Sequence, residues 1–170
     1  MKTILIVIAL AGFGASSLPA QTSINNTNID MRGFLTLSQK AAAHRQQRRL
    51  TEAEFIRFSR EPDAIVLDAR SREMFDLLHI KGAINLSFPD MTVESLARTI
   101  PDKGRRILIY CNNNFMNEPR AFPSKIAPAS LNLSTYVSLY SYGYTNVYEL
   151  GPYVDIKQSK IEFVGSRKKR

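Results

Sequence analysis

The 170-residue sequence predicts an α/β fold: a small, mostly parallel sheet of about five strands flanked by helices. Two continuous apolar runs, Ala64-Ile65-Val66-Leu67 and Ile107-Leu108-Ile109-Tyr110, have the character of strands covered on both faces. Segments between and after them repeat apolar residues at helical spacing. Strand-like and helix-like stretches therefore alternate, and helical crossovers are what parallel neighbours require.

The chain opens on what reads as an export signal, with Lys2 as charged head, an apolar core over residues 4–14, and small residues after it. That core, roughly 11 residues, is shorter than the about 20 a membrane-spanning helix needs. Cleavage is expected after Ala20, with a second option after Ser17; the alternative is an uncleaved anchor. The mature chain is expected to be exported, periplasmic or secreted, with no stable membrane insertion. Residues 21–49 form a lead-in, rich in Asn, Thr and Ser at first, then weakly helical and strongly basic over 36–49.

A domain is expected over residues 50–155. Thr51 and Glu54 have the spacing of a capping box, and Leu50 and Phe55 that of a hydrophobic staple, so a helix is expected over about 52–60. Pro62-Asp63 ends it, and the first apolar strand emerges into Asp68-Ala69-Arg70. Ser71 can cap a short helix carrying Met74, Leu77 and Leu78 on one stripe. Residues 79–82 lead into a brief strand, Ala83-Ile84-Asn85-Leu86. Thr92 starts the next helix, whose Val93, Leu96, Ala97 and Ile100 share a face before Pro101 and Gly104 stop it.

The second apolar run ends at Cys111. A polar, proline-bearing segment continues to about residue 130. Leu133, Tyr136, Val137 and Tyr140 then mark a buried helical face, with Asn132 or Ser134 as cap and Gly143 as stop. Asn146-Val147-Tyr148-Glu149-Leu150 reads as the last core strand. Residues 161–164 offer a short edge strand within a 156–170 extension that ends in a basic tail.

The formal charge of +8 does not indicate nucleic-acid binding: Lys2 supplies one unit and Arg167-Lys168-Lys169-Arg170 four, leaving +3. A mildly basic domain favours small anionic substrates. One cysteine and two separated histidines lack metal-ligand spacing, and no cofactor is indicated. Cys111 is the only cysteine, so no intrachain disulfide can form, and an unpaired thiol in an exported protein is either reactive or a link between chains. It stands at the carboxyl end of a core strand, where open α/β folds place their chemistry. Buried filler is its other reading.

Asp68-Ala69-Arg70-Ser71 with Phe75, then His79-Ile80-Lys81-Gly82-Ala83-Ile84-Asn85-Leu86, resembles the rhodanese homology domain. Tyr110-Cys111 resembles the end of that family's central strand. Tyr142-Gly143-Tyr144 and the strand to Gly151 resemble its closing helix and strand. The resemblance implies a sulfurtransferase carrying sulfur as a Cys111 persulfide between a small anionic donor and a thiol or other nucleophilic acceptor. A compact loop of inward-facing amides would then stabilise the thiolate.

The sequence departs from the family at that loop, since nearly 20 residues separate Cys111 from the next helix. Asn112, Asn113 and Asn114 can build an anion-binding nest without glycine, or are polar filler. Phe115, Met116 and Phe122 line a lid over Cys111, or pack on the core. Substrate contacts are assigned to Asn112, Asn113, Asn114, Phe115 and, more weakly, Arg120, whose alternative is a solvent-facing position. Asp68 and Arg70 are expected to support the loop by charge-assisted bonds. His79 is read as fixing a turn. Against sulfur transfer stands a binding or regulatory module in which the longer loop replaces catalysis.

Overall fold

The computed structural model describes residues 26–166. The chain divides into residues 1–30 and 31–170. In the first unit, residues 26–30 include a turn in which Asn26 accepts from the N–H groups of Asn28 (3.0 Å) and Ile29 (3.1 Å). The expected export signal, its cleavage points and the basic tail lie outside the described residues.

In the second unit, five strands form one parallel sheet: β1 (Arg49–Leu50), β2 (Ala64–Asp68), β4 (Ile84–Asn85), β5 (Arg106–Tyr110) and β7 (Val147–Leu150). Their spatial order is β1-β7-β5-β2-β4. Ile65 pairs with Ile107 and Leu67 with Ile109, while Ile107 pairs with Val147. The chain adds β4 outside β2, then returns to lay β7 outside β5. The strand order thus reverses at the central pair, which opens a crevice at its carboxyl edge.

The side-chain period of two sends alternate residues to opposite layers. Ile65, Leu67, Ile107, Ile109 and Val147 pack with α1 (Met31–Arg45), α4 (Val93–Thr99) and α5 (Leu131–Ser141) through Ala41, Leu96, Tyr136 and Leu139. Val66, Leu108, Tyr110 and Leu150 face the other way, against Phe55 of α2 (Glu52–Ser59), Leu78, Phe115, Phe122 and Ile161. Each fully buried aliphatic side chain contributes roughly 1.5–3 kcal/mol. Continuous apolar composition in β2 and β5 is the direct result of two covered faces.

The capping box forms as the sequence spells it. Thr51 Oγ1 accepts from the Glu54 N–H (3.3 Å), and the Thr51 N–H donates to the Glu54 carboxylate (2.8 Å). Leu50 and Phe55 are both buried in one layer, completing the staple. That carboxylate sits below its ordinary pKa range because it accepts from the Thr51 N–H first and the hydroxyl second. At its far end, α5 stops in a Schellman turn: Gly143 takes φ +87°, and the Tyr144 N–H reaches the Leu139 carbonyl at 2.9 Å.

Several features differ from the sequence reading. The first helix starts at Met31, five residues before the basic stretch, and is no loose lead-in: Ala41 is fully buried and His44 Nδ1 lies 2.8 Å from the Tyr136 hydroxyl. The N-cap of α5 is Ser130, where Asn132 or Ser134 was expected. The short edge strand expected over 161–164 forms as β9 (Phe163–Val164), but its partner β3 (His79–Ile80) and the pairing of β6 (Phe115–Met116) with β8 (Val154–Asp155) escaped notice, because so short a strand has no periodicity. The carboxyl-terminal extension is part of the same body. Glu52 accepts from Ser159 Oγ (2.7 Å) and the Lys160 N–H (2.8 Å), and Lys81 pairs with Glu162 at 2.7 Å.

Candidate active site

Parallel strands end together, so the residues following β1, β2, β5 and β7 meet at one edge of the sheet. Cys111 follows β5 directly and is 1% exposed. Its Sγ lies 3.5 Å from Ser130 Oγ. Ser130 makes no side-chain cap bond to α5, and its hydroxyl is turned to the sulfur instead. The positive end of that 11-residue helix begins at the next residue.

Asn112–Asn114 forms a 3-10 turn, and its asparagines act as ties. Asn112 Nδ2 donates to the Pro123 carbonyl (2.8 Å), and Asn113 Nδ2 to the Lys125 carbonyl (2.6 Å). Asn114 Oδ1 accepts from the Cys111 N–H (2.9 Å) and Asn132 Nδ2 (3.1 Å), while its amide donates to the Leu150 carbonyl (2.7 Å). These amides knit the loop to the sheet edge. Neither the left-handed nest nor polar filler describes them; among the described non-glycine residues the positive φ falls at Asn117 (68°).

A cavity of about 270 Å³ opens beside the sulfur, lined in part by Arg45, Arg49, Cys111, Ser130, Asn132 and Glu149. Asn113 and Asn114 also line it, whereas Asn112, Phe115 and Arg120 do not. Phe115 is 1% exposed and packs edge-on against Phe163 at 5.2 Å between centroids, tilted against Phe122 at 4.6 Å. The aromatic residues of the loop thus belong to the core, not to a lid. Arg120 is exposed. Apolar burial won because β6 pairs with β8 and draws Phe115 beneath the loop.

Asp68 and Arg70 lie on the far side of β5 and are both buried. Their ion pair is 2.6 Å, and the same guanidinium donates to the carbonyls of Ala121 (2.7 Å) and Leu78 (2.7 Å). The pair thus ties the end of β2 to the long loop through the Ala121 carbonyl. Tyr110 donates to Asp68 Oδ2 at 2.5 Å, and burial first, then the carboxylate, hold its phenol well above the usual range, keeping it a donor. His79 Nδ1 lies 2.7 Å from the Phe75 carbonyl, with its ring stacked on Phe75 at 3.7 Å. It fixes the turn after α3 (Arg72–Leu77).

Sequence reading missed Arg45, Arg49, Ser130, Asn132 and Glu149 as neighbours of the thiol. One signal was present: Glu149 is a lone carboxylate in an otherwise apolar core strand, which demands a cationic partner. It is 1% exposed and is met by Arg45, through both of its oxygens, and by Arg49 at 3.1 Å. Tyr136, one turn beyond Asn132, has its phenol pushed up to about 12, chiefly by burial. Among the described residues no group of three or more His, Cys, Asp or Glu could hold a metal ion. No helix among them is long and apolar enough to cross a membrane.

An open parallel α/β sheet with a cysteine at the carboxyl edge of its central strand, facing the start of a helix, defines a narrow class of cysteine-centred folds. The chain belongs to the rhodanese-like domain family, whose sequence profile matches residues 51–150. Similar solved structures include a rhodanese with anions from E. coli, 24% identical over 61% of this chain and 99% of that one, TM-score 0.41. Protein hp1203 from Helicobacter pylori is 23% identical over 74% and 99% of the two chains, TM-score 0.49. A thiosulfate sulfurtransferase from Pseudomonas aeruginosa is 16% identical over 81% of this chain but 24% of that one, TM-score 0.50. At these identities the likeness concerns the fold. No curated protein matches the chain.

Proposed function

We propose that the protein is a sulfurtransferase of an exported compartment, relaying sulfane sulfur through a persulfide on Cys111. The observation that carries this reading is the position of Cys111 at the carboxyl end of β5, on a polar cavity with Ser130 and two arginines. With thiosulfate as donor, the Cys111 thiolate attacks the outer sulfur. A new S–S bond forms, the old one breaks, and sulfite leaves with the bonding pair. An acceptor thiolate then takes that outer sulfur, and Cys111 returns as a thiolate. Only a thiolate performs either step usefully.

The export part rests on the Lys2 head and the apolar core at residues 4–14. Sequencing the amino terminus of protein recovered from the periplasm or medium checks it, with a start at residue 21 or 18 expected. Mass measurement of the intact protein after donor treatment tests the chemistry. One added sulfur is expected in the native protein and none in Cys111→Ser; no adduct with thiosulfate or persulfide donors discards sulfur transfer.

A second reading is favoured by the loop itself: its asparagine side chains are spent on backbone groups, and the thiol is 1% exposed. In that reading the domain is a binding module. A turnover rate abolished by Cys111→Ser counts against it.

A further inference from the structure

The loop arginine, Arg120, is exposed and off the Cys111 cavity. Two other arginines share that cavity with Cys111. Arg45, at the end of α1, and Arg49, in β1, both line the Cys111 cavity, and both precede the 51–150 stretch that matches the family. They are brought there by Glu149, whose place in β7 is fixed by the register Arg49↔Glu149.

The three groups are not equivalent. Glu149 is buried and receives both Arg45 contacts, through Nε at 2.7 Å and through Nη2. Arg45 is thereby neutralised and held, its side chain 27% exposed. Arg49 touches one carboxylate oxygen through Nε (3.1 Å) and the Gly151 carbonyl through Nη2 (3.1 Å), with its side chain 51% exposed. Two guanidiniums against one carboxylate leave one net positive charge, and the exposed partner is the one able to offer it to a ligand. Arg49 also lines the adjoining cleft of about 670 Å³, so it stands where the two cavities meet.

We propose that Arg49 is the anion-recognising residue of the Cys111 cavity, oriented by the Arg45–Glu149 pair, and that the cavity takes small sulfur donors bearing an oxyanion end. This rests on the sulfurtransferase reading for its choice of donor, but the charge selection is a property of the cavity alone. A planar guanidinium held at two of its nitrogens presents a fixed face to an oxyanion, which a mobile lysine does not.

The test alkylates the thiol of the full chain with iodoacetate, an anion, and iodoacetamide, its neutral counterpart. The ratio of the two rates is expected to fall by about tenfold in Arg49→Ala and to recover in part in Arg49→Lys. An unchanged ratio, or an equal loss of both rates, overturns the proposal. Thermal unfolding with millimolar thiosulfate gives a second reading that needs no reactive thiol: stabilisation is expected in the native chain and loss of it in Arg49→Ala. Stabilisation absent from the native chain, or undiminished in the variant, overturns it as well. If the ratio falls but no persulfide ever forms, the anion site stands and sulfur transfer fails. If sulfur is transferred at an unchanged ratio, the reverse holds.

Discussion

At the scale of single residues, Asn114 ties four others together with one side chain. It accepts from the Cys111 N–H and from Asn132, and donates to the Leu150 carbonyl and, at 3.3 Å, to that of Pro152. Asn114→Leu keeps the branched shape, adds some volume and removes every one of these bonds. Stranding several buried polar groups at about 1–3 kcal/mol each, less what water recovers, predicts a loss of about 3 kcal/mol in urea unfolding. Alkylation of Cys111 is expected to quicken, since the turn beside it loosens. Asp68 poses a different problem, because Arg70 and Tyr110 both depend on it in a buried setting. Asp68→Ala leaves a buried guanidinium without its counter-charge, and a cost of about 3–5 kcal/mol is expected by the same measurement. The pairing of Asp68 and Arg70 was readable in their two-residue spacing, but their reach to Ala121 was not.

At the scale of elements, the signals that read correctly were local ones. The Thr51 box closes through backbone atoms three residues apart, so its geometry owes nothing to distant chain. Thr51→Ala is expected to lower the thermal midpoint by the equivalent of about 1 kcal/mol, with the sheet intact by circular dichroism. The long loop after Cys111 is the opposite case. Its polar, proline-rich sequence left a lid and packing on the core both open, and Phe115, Ala121 and Phe122 are buried in the core, held by β6 on β8 and by Arg70. Two-residue pairings carry no pattern a reader can see, because a strand that short shows no alternation. The capping of α5 was misplaced for a related reason: Ser130 serves the sulfur rather than the helix.

At the scale of the whole molecule, the chain closes by folding its carboxyl-terminal segment across the layer formed by α2 and the loop. Phe163 meets Phe115 and Phe122, and β9 pairs with β3. Gly165 lets this happen: a Cβ there would stand 2.4 Å from the Leu77 carbonyl oxygen. Gly165→Ala is expected to push β9 away from β3, read as faster amide exchange at Lys81, whose N–H donates to the Glu162 carbonyl at 2.8 Å, with the central strands unaffected. The Ser166 bonds to the Asp76 carbonyl, 2.9 Å from N–H and 3.0 Å from Oγ, should be lost in the same variant.

Sequence alone determined the class of fold, the parallel sheet and the edge on which Cys111 would stand, because apolar runs, helical periods and caps are written in near neighbours and a parallel sheet gathers its carboxyl ends on one side. It also marked Asp68 and Arg70. Only the tertiary structure decided what surrounds the thiol. Arg45 with Arg49, Ser130 and Glu149 come from three separate stretches, and their meeting depends on the register of β1 on β7 and the docking of α1, which are set by packing between segments some 100 residues apart.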